Sequence, residues 1–395
     1  MKPLFNIKIL DLTRVLAGPF CTMILSDLGA EIIKVEMPGI GDDARHFGPF
    51  KNGQSLYFVS VNREKKSISL NLKNKRGKEI FLQLVEKIDV IIENYRPGTM
   101  EKLGLGYETL KNINPGLIYA ASSGFGHSGP DSTKAAYDIL GQAMGGIMSI
   151  TGWPQTPPTR VGVSLGDITA SLYTAIGILA ALNQRSATGI GQKVDVAMLD
   201  CQVSILENAI ARYQVDHKSP EPIGNRHPTI APFQAYKAKD GYFVIGVGND
   251  ALWLKLCEAI GRIDLANNEK FKTNQLRTQY LEELNVELGK TIADKTAAEW
   301  LEIIDRAGVP CGPINTIDKV MENRQIKARN MIVEVTDRKA GVIKIAGNPI
   351  KMDCIEEKPD RIHAPEIGEH NLEIYSGMLG LSTDEINKLK DEGVI

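Results

Sequence analysis

Six short runs of β-branched and aliphatic residues constrain this chain most: IKILDL (7–12), EIIKVE (31–36), SISLNL (67–72), DVIIEN (89–94), LIYAAS (117–122) and KVDVAM (193–198). Each is long enough for one strand and short for an ordinary helix. Segments with helical patterning lie between several of them, as at 19–29 and 75–88, where Pro19 suits a first helical turn and Gly29 a helix end. Strand, helix, strand, repeated, leaves few folds open. Parallel strands must be joined by crossover helices, and the sheet they form must be covered on both faces. The pattern therefore predicts an α/β chain with a Rossmann-like large domain and an open, mostly parallel sheet. At 395 residues the chain also exceeds one ordinary core, which calls for a second domain.

The break in the pattern falls at HKSPEPIGNRHPTIAPF (216–232), rich in Pro and Gly. Beyond it, FQAYKAKDGYFVIGVG reads as two strands joined at Lys239–Asp240–Gly241, with helices at 250–261, 275–289 and 297–307. MIVEVTD (331–337) and GVIKIAG (341–347) read as a returning hairpin, and two short helices close the chain. The expected division is a large domain over 1–200 completed by 345–395, a linker at 201–230, a smaller α+β domain at 231–320 and a return linker at 321–344.

Charge and cysteine usage exclude several function classes. A net charge of −2 argues against general nucleic-acid binding, which needs a basic surface to displace counterions. Cys21, Cys201, Cys257, Cys311 and Cys354 are widely spaced with no C-x-x-C, which points to a reducing cytoplasm. MKPLFNIKILDLTRV has neither a long apolar core nor a small-residue cleavage site, so no signal peptide is expected. Ile168 to Gln184 falls short of a membrane span and carries Thr169, Ser171, Thr174 and Asn183, so it reads as a buried helix and no membrane partner is expected. The histidines form no H-E-x-x-H or Cys/His cluster, so no metal is expected, and no G-x-G-x-x-G follows a strand.

Chemistry concentrates in RVGVSLGDITASLYTAIGILAAL (160–182). GVSLG fits the G-x-S-x-G pattern of serine hydrolases, with Ser164 as the nucleophile. Asp167 has two readings. It can cap the apolar helix that follows, or it can be a carboxylate nucleophile fixed at a helix N-terminus and ionised at neutral pH, where a carboxyl of pKa about 4 has lost its proton. Arg14, Lys34, Lys65, Lys66, Lys73, Arg96 and Lys102 follow or close strands, at the edge where open α/β sheets bind ligands, and would suit a ligand with several phosphates.

DLTRVLAGPFCTMILSDLGAEIIKVEMPGIGDDAR, ENYRPGTMEKLG, GFGHSGP, YDILGQAMGGIMSITG, VGVSLGD and GIGQKVDVAMLD resemble, in order and through nearly the whole chain, the class III (family III) CoA-transferases. GDDARHFGPF, SSGFGHSGP and GNRHPTIAPF look most like the members that exchange CoA between acetyl-CoA or formyl-CoA and oxalate. The resemblance implies that Asp167 is the catalytic nucleophile, forming an aspartyl–acyl anhydride and then an aspartyl-CoA thioester, with Ser164 a small residue in the preceding turn. It implies that Val15, Leu16 and Ala17 line the CoA cleft, and that Leu70 to Lys73, Asn94, Tyr95, Arg96, Lys102, Ala135, Tyr137 and Asp138 hold the nucleotide and pantetheine. Lys102 and Ala135 stand where the formyl-CoA enzyme has Arg and Lys, and Met37 replaces a basic residue, although Lys134 adjoins Ala135. GNRHP (224–228) stands in place of a tetraglycine lid, which suggests Gly224, Asn225 and His227 as shielding or acceptor-contacting residues. Coenzyme A would be a substrate in thioester form, with no permanently bound cofactor, and the enzyme a homodimer of interlocked rings. The related racemases use a His before the Asp of the YD pair. Here that position is Tyr137, a poor base at neutral pH.

Overall fold

The computed structural model describes residues 1–395. The six expected runs all become strands: β1 (Lys8–Asp11), β2 (Glu31–Glu36), β3 (Lys66–Ser69), β4 (Val90–Glu93), β5 (Ile118–Ser123) and β6 (Lys193–Ala197). They form one six-stranded sheet in the order β3-β2-β1-β4-β5-β6, parallel throughout, with Ile9 level with Ile32 on one side and Val90 on the other. This order reverses direction between β1 and β4. Loops leaving those two strands part in opposite directions and open a crevice at the carboxyl edge, where Rossmann-like sheets take their ligands.

Alternation of side chains along each strand builds two cores. Leu10, Ile33, Ile68 and Ile91 face Phe81, Leu84, Ile374 and Tyr375, so one face is covered by Lys75–Val85 and by a helix near the far end of the chain, Asn371–Leu379. Ile9, Ile32, Val90 and Ile92 face the other way, onto helices α1 (Ala17–Asp27) and α3 (Leu165–Thr188). Between these in sequence lies α2 (Asp138–Met144), and after β6 comes α4 (Met198–Ser204).

Helix α3 has 24 residues and, by length and composition alone, could cross a bilayer, longer than the sequence pattern suggests. Here Thr169, Ala170, Ser171, Thr174, Ala175 and Ile178 are buried, while Leu172, Tyr173 and Ile176 stay exposed.

The chain divides into two compact units, one of residues 1–148, 160–218 and 324–395, the other of 149–159 and 219–323. Part of the stretch expected as a linker, 201–230, is helical: α4 runs on to Ser204, and Ala209–Asp216 forms a further helix of the larger unit. Ile332–Asp337 and Gly341–Ala346, overlapping the expected return linker 321–344, pair as the predicted hairpin and also belong to the larger unit.

In the smaller unit, Phe233–Lys237, Tyr242–Gly246 and Cys311–Pro313 form an antiparallel sheet over a core containing Phe243, Trp253, Leu256, Leu284, Leu288 and Trp300. The expected helix 275–289 is broken at Tyr280, whose backbone leaves the helical region (φ −103, ψ 33), giving Asn274–Gln279 and Leu281–Ile292.

Candidate active site

The crevice between the ends of β1 and β4 is a cleft of about 450 Å³. Val15, Leu16, Ala17, Asn94, Tyr95, Arg96, Ala135, Tyr137 and Asp167 all line it, so residues from four distant parts of the sequence converge as expected. An adjoining cleft of about 310 Å³ shares Arg14, Tyr95 and Thr99 with it and adds Met37, Leu70, Leu72 and Lys73. Lys102 lines neither cleft and is exposed one turn away. Sequence reasoning did not single out Thr99, Ser122, Ser123, Gly124 or Met198, which complete the wall. Ser122 ends the predicted strand 117–122 and Ser123 and Gly124 directly continue it, which is the signal that places them at the ligand edge.

The loop after β1 is held in a conformation that the side chain itself disfavours. Val15 has φ +67, an outlier for a β-branched residue and a cost of about 1–3 kcal/mol. Its surroundings leave the loop no alternative. Asn94 clamps Arg14, receiving its N–H through Oδ1 (2.9 Å) and donating from Nδ2 to its carbonyl (2.8 Å). The Val15 N–H donates to Asp42 Oδ1 (3.0 Å), and Asp42 Oδ2 lies 2.8 Å from Lys34 Nζ, with both side chains fully buried. Lys34 also donates to the Thr13 carbonyl at 2.8 Å. Beneath, Lys65 pairs with Asp11 at 3.0 Å and donates to the Pro19 carbonyl. Burial opposes ionisation of Asp11, yet Lys65 and Lys34 outweigh it and hold its carboxyl well below the usual range. Burial brings Lys65 itself down to about 8.

Two of the lysines read as phosphate contacts, Lys34 and Lys65, are thus internal ions committed to Asp42 and Asp11. Lys66 is engaged by Glu31 and Glu373, each at 2.6 Å. Charge is visible in sequence and burial is not. Among the cations at the clefts, Arg14 lines both and pairs with Asp43 at 3.3 Å, Arg96 and Lys134 line one, where Lys134 pairs with Asp131 at 2.7 Å, and exposed Lys73 lines the other.

Asp167 is the third residue of α3 and not its cap. Helix α3 starts at Leu165 with Ser164 at the N-cap, and neither side chain caps the end. No histidine accepts a hydrogen bond from Ser164, so the elbow lacks the base that a serine nucleophile needs. Asp167 presents its carboxylate to the cleft. Burial, reinforced by Asp138 and opposed by Arg160, pushes its pKa up to about 7. The expectation of a fully ionised group of pKa about 4 is corrected: desolvation outweighs the favourable helix end.

Asp138, expected at the coenzyme, turns inward instead. Its carboxylate accepts from Gly166 N–H (2.8 Å), Gln142 Nε2 (2.8 and 3.0 Å) and Arg160 Nη2 (3.0 Å). Ser171 on α3 donates to the Ala17 carbonyl, joining the turn that carries Asp167 to the loop that carries Val15.

Gly224, Asn225 and His227 lie in the smaller unit. Gly224, with φ +72, donates its N–H to the Gly152 carbonyl and packs so tightly that a Cβ would sit 2.6 Å from the Trp153 ring. Asn225 Oδ1 accepts from the Ala235 N–H, and the His227 ring meets Phe233 edge-on at 5.5 Å.

Comparison with known proteins agrees with the geometry. The family model described as CoA-transferase family III matches residues 4–371. Acetyl-CoA:oxalate CoA-transferase of Acetobacter aceti is 45% identical over 368 residues, covering 93% of each chain. Succinyl-CoA:glutarate CoA-transferase of Mus musculus is 42% identical, spanning 100% of this chain and 91% of the relative. The crystal structure of a CAIB/BAIF family protein from Brucella suis superposes with a TM-score of 0.83 at 40% identity, covering 95% of this chain and 99% of that one.

Proposed function

This chain belongs to CoA-transferase family III, and from that premise we propose that it moves coenzyme A from an acyl-CoA to a small dicarboxylic acid through covalent bonds to Asp167. The observation that carries this reading is the Asp167 carboxylate, which has no hydrogen-bond partner of its own, lining a cleft that also contains Arg14, Arg96 and Lys134. The relatives' names point to oxalate or glutarate as acceptor and to acetyl-CoA or succinyl-CoA as donor, with formyl-CoA a further donor in our reading.

Ionised Asp167 attacks the thioester carbonyl. The C–S bond breaks, the aspartyl–acyl anhydride forms, and CoA leaves as a thiolate whose pKa of about 8.5 makes it a tolerable leaving group. The thiolate then attacks the aspartyl carbonyl and releases the first acid, leaving an aspartyl-CoA thioester. The acceptor carboxylate attacks that thioester, a second anhydride forms, and the thiolate takes up the new acyl group. Asp167 returns as a carboxylate. One thioester replaces another, so bond energy is conserved and no nucleotide triphosphate is consumed. Burial serves this chemistry twice: a poorly solvated carboxylate attacks readily, and an anhydride out of water's reach survives.

We place the enzyme in a reducing compartment, the cytoplasm, in keeping with five free cysteines. We also propose a homodimer in which the two chains interlock, supported by exposed apolar side chains on adjoining helices, including Ile139, Met144, Leu172, Ile176 and Val203. A monomeric gel-filtration profile contradicts the dimer.

The chemistry is tested by mixing acyl-CoA donors with free dicarboxylates and following products by mass spectrometry, with hydroxylamine added during turnover. A hydroxamate on Asp167, lost in Asp167→Asn and kept in Ser164→Ala, is the expected result. The reverse pattern refutes it.

A further inference from the structure

The loop 160–166 delivers Asp167 into the cleft, and it has no regular structure of its own before Leu165. Its position is dictated by two side chains one turn apart on α2. Gln142 is fully buried, a position where a glutamine side chain is tolerated only with its polar atoms paired. Its Oε1 accepts the Val161 N–H at 2.9 Å. Its Nε2 donates to both carboxylate oxygens of Asp138, at 3.0 and 2.8 Å, and reaches the Val163 carbonyl at 3.4 Å. Asp138, so oriented, accepts the Gly166 N–H at 2.8 Å on one oxygen and Arg160 at 3.0 Å on the other. Four successive handles on the loop (the Arg160 side chain, Val161 N–H, Val163 carbonyl and Gly166 N–H) are therefore gripped by one amide and one carboxylate.

The packing around the grip leaves no slack. A Cβ on Gly166 would lie 3.1 Å from Asp138 Oδ1 and 2.9 Å from Met198 Sδ, and a Cβ on Gly141 would lie 2.8 Å from that same sulfur. On the far side, Gln202 of α4, also fully buried, donates to Thr169 Oγ1 at 2.8 Å and steadies the same helical turn.

We propose that Gln142 is a positioning residue for Asp167, acting through Asp138 and the loop 160–166 to hold the nucleophile at its attacking distance. It touches neither cleft nor substrate, so its effect falls on the rate of the covalent step and not on CoA binding. A side chain that only filled space would show no such division. This inference rests on the proposed role of Asp167 as nucleophile.

Two variants test it. Gln142→Asn is polar but one methylene short, and cannot reach Asp138 and Val161 together. Gln142→Glu has the parent length, and with one proton shared between Glu and Asp138 it can make both bonds, since two touching carboxyls do not both ionise. Rates are measured with acetyl-CoA or succinyl-CoA against oxalate or glutarate and expressed per site, counted as folded chains from protein concentration once circular dichroism matches variant to parent. In parallel, the rate at which a water-soluble carbodiimide labels Asp167 is read by peptide mass spectrometry, which requires no turnover. Gln142→Asn should lower kcat by roughly tenfold or more while KM for the acyl-CoA moves by less than about twofold, because a displacement near 1 Å is costly for an aligned attack. It should also change the labelling rate of Asp167, and Gln142→Glu should regain most of both. Parent-level kcat per site with unchanged labelling in Gln142→Asn overturns the proposal, and so does a Gln142→Glu variant no better than Gln142→Asn. If the parent enzyme transfers no CoA, the functional reading fails, while the labelling rates still decide whether Gln142 places Asp167.

Discussion

Replacing Asp167 by Asn should stabilise the protein while abolishing its activity, and the size of the gain should depend on pH. A pKa raised from the ordinary 3.8 to about 7 means that the folded chain holds this proton more tightly than the unfolded chain does. Stability from this group is therefore greatest while Asp167 is protonated. It falls as pH rises through the window from about 4 to about 7, and the full penalty persists above that. Asn carries no charge at any pH and escapes the penalty. The interval corresponds to at most about 4 kcal/mol, and solvent reaching the partly buried carboxylate reduces this to about 2–4 kcal/mol. With an unfolding entropy of about 2 cal/mol/K per residue, a chain of this length gains roughly 2–5 °C at pH 8. Between pH 7 and pH 5 the gain should shrink by up to about 1.4 kcal/mol per pH unit. Differential scanning calorimetry of parent and variant at pH 5, 6, 7 and 8 measures it. A Tm difference that is the same at every pH, or a variant less stable than the parent at pH 8, refutes the claim that a desolvated charge is stored at this position.

The same raised pKa should appear in the kinetics: kcat/KM falls about tenfold per pH unit below about 7 and levels off above it, and a flat profile between pH 5 and 8 excludes an attacking Asp167 of that pKa. Asp42→Ala breaks the pair with fully buried Lys34 and removes the acceptor of the Val15 N–H, so it should cost about 3–5 kcal/mol in denaturant unfolding and raise KM for the acyl-CoA; unchanged values for both would show that Val15 holds its own conformation. In Gly18→Ala the new Cβ would lie 2.1 Å from Thr13 Cβ, and the displaced α1 should cost about 1–3 kcal/mol in a thermal melt, with no loss if the loop can yield.

The sheet is legible in the sequence because its signal is local. Alternating faces show in IKIL and EIIKV from the spacing of apolar residues alone, and six such runs joined by helices permit little besides a parallel sheet. The ligand edge follows, and with it the neighbourhood of Val15, Asn94, Arg96 and Asp167. What stays hidden is whatever depends on dielectric or on a distant partner. Lys34 and Lys65 carry the same symbol as Lys73, yet two are sealed beneath the sheet edge and one meets solvent. Asp138 stands beside Tyr137 in sequence, but only the fold shows that Tyr137 opens onto the cleft while Asp138 faces Gly166 and Arg160. The ionisation of Asp167 escapes a sequence reading for the same reason, since the helix terminus is visible in sequence and the burial that overrides it is not. Gln142 leaves one trace: it lies one helical turn after Asp138, a spacing that permits contact without saying what the contact holds.

Three local rules are broken close together in this protein: a valine at positive φ, two fully buried lysines and a carboxyl titrating near neutrality. Scattered through a chain, each would be an unexplained loss of stability. Here they are mechanically linked, because Lys34 holds Asp42, Asp42 holds the Val15 N–H, Ala17 receives Ser171, and Ser171 lies one turn beyond Asp167. Strain at a functional site persists only when its surroundings over-determine it. A surface loop screened by water could not exert that force. Paired charges removed from solvent can, since freeing either partner leaves the other buried and alone. The rigid part of the site is therefore the ion pair beneath it, and under the proposed function that rigidity is what keeps the surroundings of Asp167 from relaxing.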